Sequence, residues 1–252
     1  CTCELVRNLF DLALQHRLDF LDGLALSNTC DVSRRLYDNW NAYVKQVPVY
    51  LINNPQSLSS DSNRDYFITE LVAFRWRMEE LSGQRITDDA LHEAIGLYNE
   101  TRSLLTQLYE TRKSDTPGIT GDEALEACMA AILMAKHEAN PLLRALLDEV
   151  RQREMPDTFG PRILVTGSMI DHPALIRMIE EEGGQVVTED LCTTSRYFRD
   201  LVVPNTDPME AIYRALNKRV LCACTHPLEA RLDRLAELVD AFRVDAVINF
   251  NL

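Results

Sequence analysis

Six short apolar runs, each separated from the next by residues of helical periodicity, limit what this chain can fold into more than any other feature. They are "FLDGLALSN" (20–28), "VPVYLIN" (47–53), "RILVTGS" (162–168), "QVVTED" (185–190), "VLCACT" (220–225) and "VDAVINF" (244–250). Strands that alternate with helices pair in parallel through crossover connections. Parallel sheets of this kind gather ligands in the crevice outside the carboxyl ends of their strands. The expected fold class is therefore α/β, with flavodoxin-like, doubly wound parallel sheets in two α/β domains, the first incomplete, and a helical middle region.

Three regions follow from the pattern. Residues 1–60 read as a partial N-terminal α/β domain: "CELVRNLFDLALQHR" sets Leu5, Leu9, Leu12 and Ala13 at helical spacing, and "CDVSRRLYDNWNAYV" is a second helix between two strands. Residues 61–158 carry long helices only. The first presents Phe67, Leu71, Phe74 and Met78 on one face and ends at Gly83, the second starts at a Thr87 or Asp88 cap, and the third is expected to kink or break at Pro141. Residues 159–252 resume the α/β rhythm as a second flavodoxin-like domain, with a helix ended by Gly183 and roughly four strands. The chain opens without Met and stops in a β-like run, so further residues are expected at both ends.

Composition removes several classes of function. No run approaches the roughly 18 uninterrupted apolar residues of a spanning helix, and no basic segment leads into a secretory apolar core, so no membrane role is expected and the cytoplasm is the expected location. A formal charge of −13 repels a phosphate backbone, and no Lys/Arg stripe with interleaved aromatics offsets it, so nucleic acid is not an expected partner. Seven cysteines, an odd number, fit reduced thiols, metal ligands or buried small residues better than a disulfide framework.

Few stretches carry chemistry on their own. "VTGSMIDHP" places Gly167 and Ser168 between a strand and a helix, where backbone N–H groups can cradle an anion, but it lacks a Walker spacing and a dinucleotide fingerprint and reads as a βα turn. His172 beside Pro173 reads as a capping or surface residue. Carboxylate pairs such as Glu79 and Glu80, or Glu180 to Glu182, read as solvated helix faces. Cys128 lies in an Ala- and Met-rich helical face and reads as core. The other cysteines differ: Cys1 and Cys3 precede a helix, and Cys30, Cys192, Cys222 and Cys224 follow strands. Strand ends of a doubly wound sheet meet in space, so these thiols can converge, and an iron–sulfur cluster takes its thiolates from distant loops without a CxxC signature.

The blocks "CELVRNLF…LDFLDGLALSNTCDVSRRLYDNW", "LVTGSMIDHPALIRMIEEEGGQVVTEDLCTTSRYF" and "VLCACTHPLEARLDRLAELVDAFRVDAVI" resemble, in that order, segments of the 2-hydroxyacyl-CoA dehydratase and benzoyl-CoA reductase subunit family, of the dehydratase D-component type. The resemblance extends over nearly the whole chain. It implies two flavodoxin-like domains and one [4Fe-4S] cluster held mainly by three cysteine thiolates. Cys3, with Arg7 four residues on, matches the first ligand setting, and Cys30 in Asn-Thr-Cys-Asp matches the second. The third family ligand follows a strand like "VDAVINF" and is expected beyond Leu252, unless Cys1, Cys192, Cys222 or Cys224 substitutes or no cluster is held.

The resemblance also implies partners and a reaction. An ATP-hydrolysing iron–sulfur activator protein passes one low-potential electron to a two-subunit enzyme, built from this chain and a homologous second subunit. The acyl-CoA substrate becomes a ketyl radical anion, loses water, and returns the electron; in the reductase branch the electrons stay in the ring. In this reading "LCTTSRYF" (191–198) faces the interdomain cleft, with Thr193 beside the catalytic candidates Ser195 and Arg196, whose hydroxyl and guanidinium meet a thioester or CoA phosphate. The competing reading has Ser195 capping a helix and Arg196 paired with Asp190 or Asp200. A double-cubane-type reductase and a non-catalytic partner subunit are the alternative functions.

Overall fold

The computed structural model describes residues 3–55, 61–154, 160–218 and 229–250. Its first unit runs α1 (Glu4–Leu14), β1 (Leu24–Ser27), α2 (Asp31–Tyr43) and β2 (Val49–Ile52), the expected order. β1 and β2 pair in parallel, from Leu24 opposite Val49 to Ser27 opposite Ile52. Leu36 and Trp40, one turn apart on α2, drive the packing, together with Ala13, Val44 and Val47. Trp40 is fully buried, and its indole N–H donates to the Val47 carbonyl at 2.8 Å, so the large ring enters the core without orphaning its donor.

Four helices follow: α3 (Asp61–Ser82), α4 (Asp88–Thr111), α5 (Gly121–Leu133) and α6 (Lys136–Gln152). Gly83 stands just past α3 at φ +67, the left-handed turn that favours glycine at a helix end. The Thr87 hydroxyl accepts from the Ala90 N–H at 3.2 Å, so the threonine is the cap of α4. Thr120 and Glu123 form a reciprocal capping box on α5. The expected break at Pro141 is corrected: the chain leaves the helix at Met134 and Ala135, and Pro141 lies inside α6. The Lys136 ammonium donates to the carbonyls of Ala131, Ile132 and Met134, satisfying the end of α5. Pro141 removes one backbone bond early in α6, a loss the remaining turns absorb.

The second unit contains β3 (Arg162–Gly167), α7 (Ala174–Glu181), β4 (Gln185–Asp190), α8 (Ser195–Phe198), α9 (Pro208–Lys218), α10 (Glu229–Ala241) and β5 (Ala246–Phe250). The three strands are parallel in the order β4-β3-β5. Both faces of the sheet are covered. Leu164 and Val187 pack with residues of α4, α5, α6 and α10, whereas Ile163, Val165 and Val186 pack with Ile176 of α7 and Leu125 of α5. The middle helices and the second unit thus share one core. The expected strand "VLCACT", with Cys222 and Cys224, lies outside the described residues, as does Cys1. Among the described residues no helix is long and apolar enough to cross a membrane.

β4 carries a bulge. Ile163 faces Val186 but Leu164 faces Thr188, so Val187 is an inserted residue that re-aims the strand's carboxyl end. Thr188, Glu189 and Asp190 complete the strand.

Candidate functional site

Cys3 and Cys30 occupy equivalent places. Each is the N-cap of a helix, α1 and α2 respectively, each has extended backbone, and neither side chain makes a capping hydrogen bond. Both thiols are half-buried and free. Ser, Thr, Asp and Asn are the residues that satisfy a helix N-terminus, so two cysteines there trade local stability for something else.

Cys30 sits three residues past the carboxyl end of β1, where the polar groups interlock. The Ser33 hydroxyl donates to the Ser27 carbonyl at 2.7 Å, and the Asn54 amide donates to the Ser27 hydroxyl at 2.5 Å. From β2's end, the Asn53 backbone and side-chain N–H groups both donate to Glu70, at 3.0 and 3.1 Å. The Asn28 side-chain amide oxygen, two residues from Cys30, is buried without a hydrogen-bond partner.

The strand ends of the second unit are closed by comparison. Arg196 grips Asp190 through two bonds, Nε to Oδ1 at 3.1 Å and Nη2 to Oδ2 at 2.6 Å, and its Nη1 donates to the Gly167 carbonyl at 2.9 Å. Thr166 adds a hydroxyl donor to Asp190 at 3.2 Å. Burial works against the Arg196 charge, but the Asp190 hydrogen bond and charge outweigh it and raise its pKa. The Asp190 pair expected in the competing reading of Arg196 is present. Thr193 donates to the Ile170 carbonyl at 3.2 Å. Ser195 does not cap α8: the N-cap is Thr194, whose hydroxyl accepts from the Leu191 N–H and donates to the Glu189 carbonyl. The Ser195 hydroxyl is buried and unpartnered. Cys192 is exposed on the same loop, its Sγ 3.9 Å from Arg196 Nη1.

The "VTGS" turn serves the sheet. At Gly167, φ is +141 and a Cβ would come within 1.8 Å of the Phe250 carbonyl oxygen, so only glycine lets β3 and β5 close. The Ser168 N–H donates to that same oxygen at 3.1 Å, which commits it to the sheet and supports the βα-turn reading. His172 accepts from the Ala174 N–H at 3.1 Å, the capping role expected of it.

Sequence reasoning missed one cluster. Arg112, the C-cap of α4, and Glu189 of β4, both with fully buried side chains, meet through two bonds at 2.7 and 3.1 Å, and Arg112 also donates to the Val186 carbonyl at 2.6 Å. The Tyr109 hydroxyl donates to Glu189 at 2.5 Å, and burial raises its pKa well above the ordinary value. Cys128 lies against Tyr109 and is core as expected, with burial pushing its thiol up to about 12. Residues 77 apart in the chain leave no local signal of such a pair. Among the described residues no group of three or more His, Cys, Asp or Glu side chains is arranged to hold a metal ion.

Comparison with known proteins gives these features a context. The sequence profile of the family described as 2-hydroxyglutaryl-CoA dehydratase, D-component, matches residues 1–252. One of the subunits of the benzoyl-CoA reductase of Thauera aromatica is 28% identical over 246 residues, covering 97% of this chain and 64% of its own length. The (R)-phenyllactyl-CoA dehydratase beta subunit of Clostridium sporogenes is 25% identical over 249 residues, covering 98% of this chain and 66% of its own length. The chain therefore spans just under two thirds of the length of these relatives.

Proposed function

This chain belongs to the 2-hydroxyglutaryl-CoA dehydratase D-component family, and we propose that it is the iron–sulfur subunit of a 2-hydroxyacyl-CoA dehydratase. One observation carries the reading: Cys3 and Cys30 both stand at helix N-caps, free and half-buried, where neither side chain caps its helix. These residues fit a [4Fe-4S] cluster by donor chemistry, since thiolates are its usual ligands, and by environment, since the positive ends of α1 and α2 favour a negatively charged occupant. When bound, the cluster supplies one-electron transfer and an iron open to substrate. In this proposal Cys3 and Cys30 are two ligands and the third lies beyond Leu252.

The reaction removes a hydroxyl and a hydrogen from a 2-hydroxyacyl-CoA as water and leaves an enoyl-CoA, so it is redox-neutral overall and the activating electron is recovered. The proposed partners are a homologous second subunit and an ATP-hydrolysing iron–sulfur activator. Both α/β units are assigned the flavodoxin-like, doubly wound arrangement. Arg196 is a positioning residue here: held by Asp190 and Gly167, it fixes the loop that carries Cys192 and Ser195 at the rim of β4. The Thauera relative favours a second reading, a subunit of an ATP-dependent benzoyl-CoA reductase.

Anaerobic iron and acid-labile sulfide analysis tests the proposal. The protein should hold iron and sulfide in equal amounts after reconstitution, and Cys30→Ala should abolish both while the fold persists. Assembled with its partner subunit and activator, it should release water from a hydroxyacyl-CoA only with ATP. A Cys30→Ala protein that retains its iron would sink the reading.

A further inference from the structure

Three buried donors without an acceptor border one cavity. The cavity, about 200 Å³, opens between α4, β4, α8 and α10, and is lined among others by Thr188, Ser195, Arg199, Arg234, Lys113 and Glu110. Thr188 Oγ1, Ser195 Oγ and Arg234 Nε are buried atoms with no hydrogen-bond partner. Thr188 is fully buried and Ser195 is 3% exposed, so neither can turn to solvent. A hydroxyl can donate or accept, but a guanidinium N–H only donates, so what the three lack in common is an acceptor.

Charge points the same way. Arg199 and Arg234 share a single carboxylate oxygen of Glu237, which lies outside the lining, at 3.4 and 3.3 Å, while Lys113 is matched by Glu110 at 2.7 Å, so the two arginines of the wall have one carboxylate between them among the described residues. Burial lowers the Arg234 pKa, and the neighbouring Arg199 charge lowers it further, a cost that an anion in the cavity would relieve.

We propose that this cavity binds a small oxyanion of the phosphate type, held by Thr188, Ser195 and Arg234. The volume is below that of sites for whole cofactors, so the occupant is an ion or a single phosphomonoester group. The inference does not rest on the proposed dehydratase function. It does bear on that site's geometry: α8 turns Ser195 and Arg199 to the cavity and Arg196 to Asp190, so an anion here would clamp the loop at the end of β4.

The test is thermal unfolding and titration calorimetry with inorganic phosphate, against chloride at matched ionic strength. Phosphate should raise the unfolding midpoint of the unaltered protein. The Thr188→Val and Ser195→Ala double variant should bind phosphate about tenfold or more weakly, with a midpoint in chloride no lower than the parent's, because it removes buried hydroxyls that had no partner. Arg234→Gln, read the same way, serves if the double variant does not fold. Adenosine 3′,5′-bisphosphate distinguishes the source: tighter binding than phosphate assigns the site to a phosphomonoester of a larger ligand, and equal binding assigns it to the free ion. No phosphate-specific shift in the parent, or equal affinity in parent and variants, overturns the proposal.

Discussion

The two parallel sheets differ in which groups at their strand ends are paired. In the second unit the charged groups answer one another: Asp190 meets Arg196 and Glu189 meets Arg112, Gly167 passes under the Phe250 carbonyl, and the unpaired hydroxyls of Thr188 and Ser195 are confined to the cavity beneath. In the first unit Ser27, Asn53 and Asn54 are bonded, but the Asn28 amide oxygen just past β1 and the thiols of Cys3 and Cys30, at the N-caps of α1 and α2, are left without such partners. Paired groups make a rigid frame, whereas unpaired ones cost stability and are retained where chemistry needs them. By this contrast the second unit is the platform, and the proposed function assigns the reactive edge to the first unit.

Breaking the platform should produce the largest effect. Arg112→Leu leaves Glu189 buried with only the Tyr109 hydroxyl, and removing one partner of a buried pair costs about 3–5 kcal/mol. Urea unfolding measures it directly. Replacing Glu189 as well, with Leu, should recover most of the loss, because two apolar side chains of similar volume leave no charge stranded. A single-variant cost under about 1 kcal/mol would show that the pair is not what holds the frame. Gly167→Ala comes next, at about 3 kcal/mol, since the new methyl must displace the Phe250 carbonyl and the backbone keeps a positive φ. Its signature is faster hydrogen exchange along β5 with β4 unaffected.

How much of this contrast is legible in the sequence depends on whether the signal is local. The alternation of strand and helix, the Thr87 cap, the Gly83 stop and the buried face of Cys128 are all readable, because spacing and capping chemistry act within a turn or two. The break between α5 and α6 is misplaced by sequence reasoning because proline is the loudest helix breaker in that stretch, while the actual terminator, Lys136 folding back onto three carbonyls, looks like any surface lysine. The Arg112–Glu189 pair and the bulge at Val187 are invisible in the sequence because both depend on partners brought together only by the fold. At the candidate site the resemblance singles out Cys3 and Cys30. That both cap helices without bonding is evident only from the structure.

A third prediction sharpens the contrast by reversing its sign. Cys30→Ser replaces a non-bonding N-cap with one of the preferred residues, so the iron-free protein should become more stable by about 0.5–1 kcal/mol. Anaerobic iron binding should fall at the same time. If instead the serine variant is less stable, Cys30 contributes to the core and the first unit is not carrying an unpaired group for function.

The smallest effect falls where α5 begins, between the platform and its covering helix α7. Asp122 accepts from Thr120 at 2.5 Å, from Arg177 at 2.9 Å and from the Glu123 N–H at 3.0 Å. Burial pushes its pKa up, but these bonds outweigh it and hold the carboxyl below the usual range. The folded state then binds its proton less readily than the unfolded chain, so the stabilisation is complete above the ordinary Asp range, near pH 4, and is lost as pH falls through the lowered pKa. Glu180, whose carboxylate accepts from the Gly121 N–H at 2.7 Å, runs the other way: burial raises its pKa, so its protonation favours the fold and its contribution fades as pH rises through that raised value. The acid limb of stability is therefore a difference between two neighbouring carboxyls of opposite sign. Asp122→Asn should flatten it and Glu180→Gln should steepen it, read from urea midpoints between about pH 6 and about pH 3. Equal slopes in both variants would mean that neither carboxyl senses the fold, and that the α5–α7 seam belongs to the loosely paired half of the contrast.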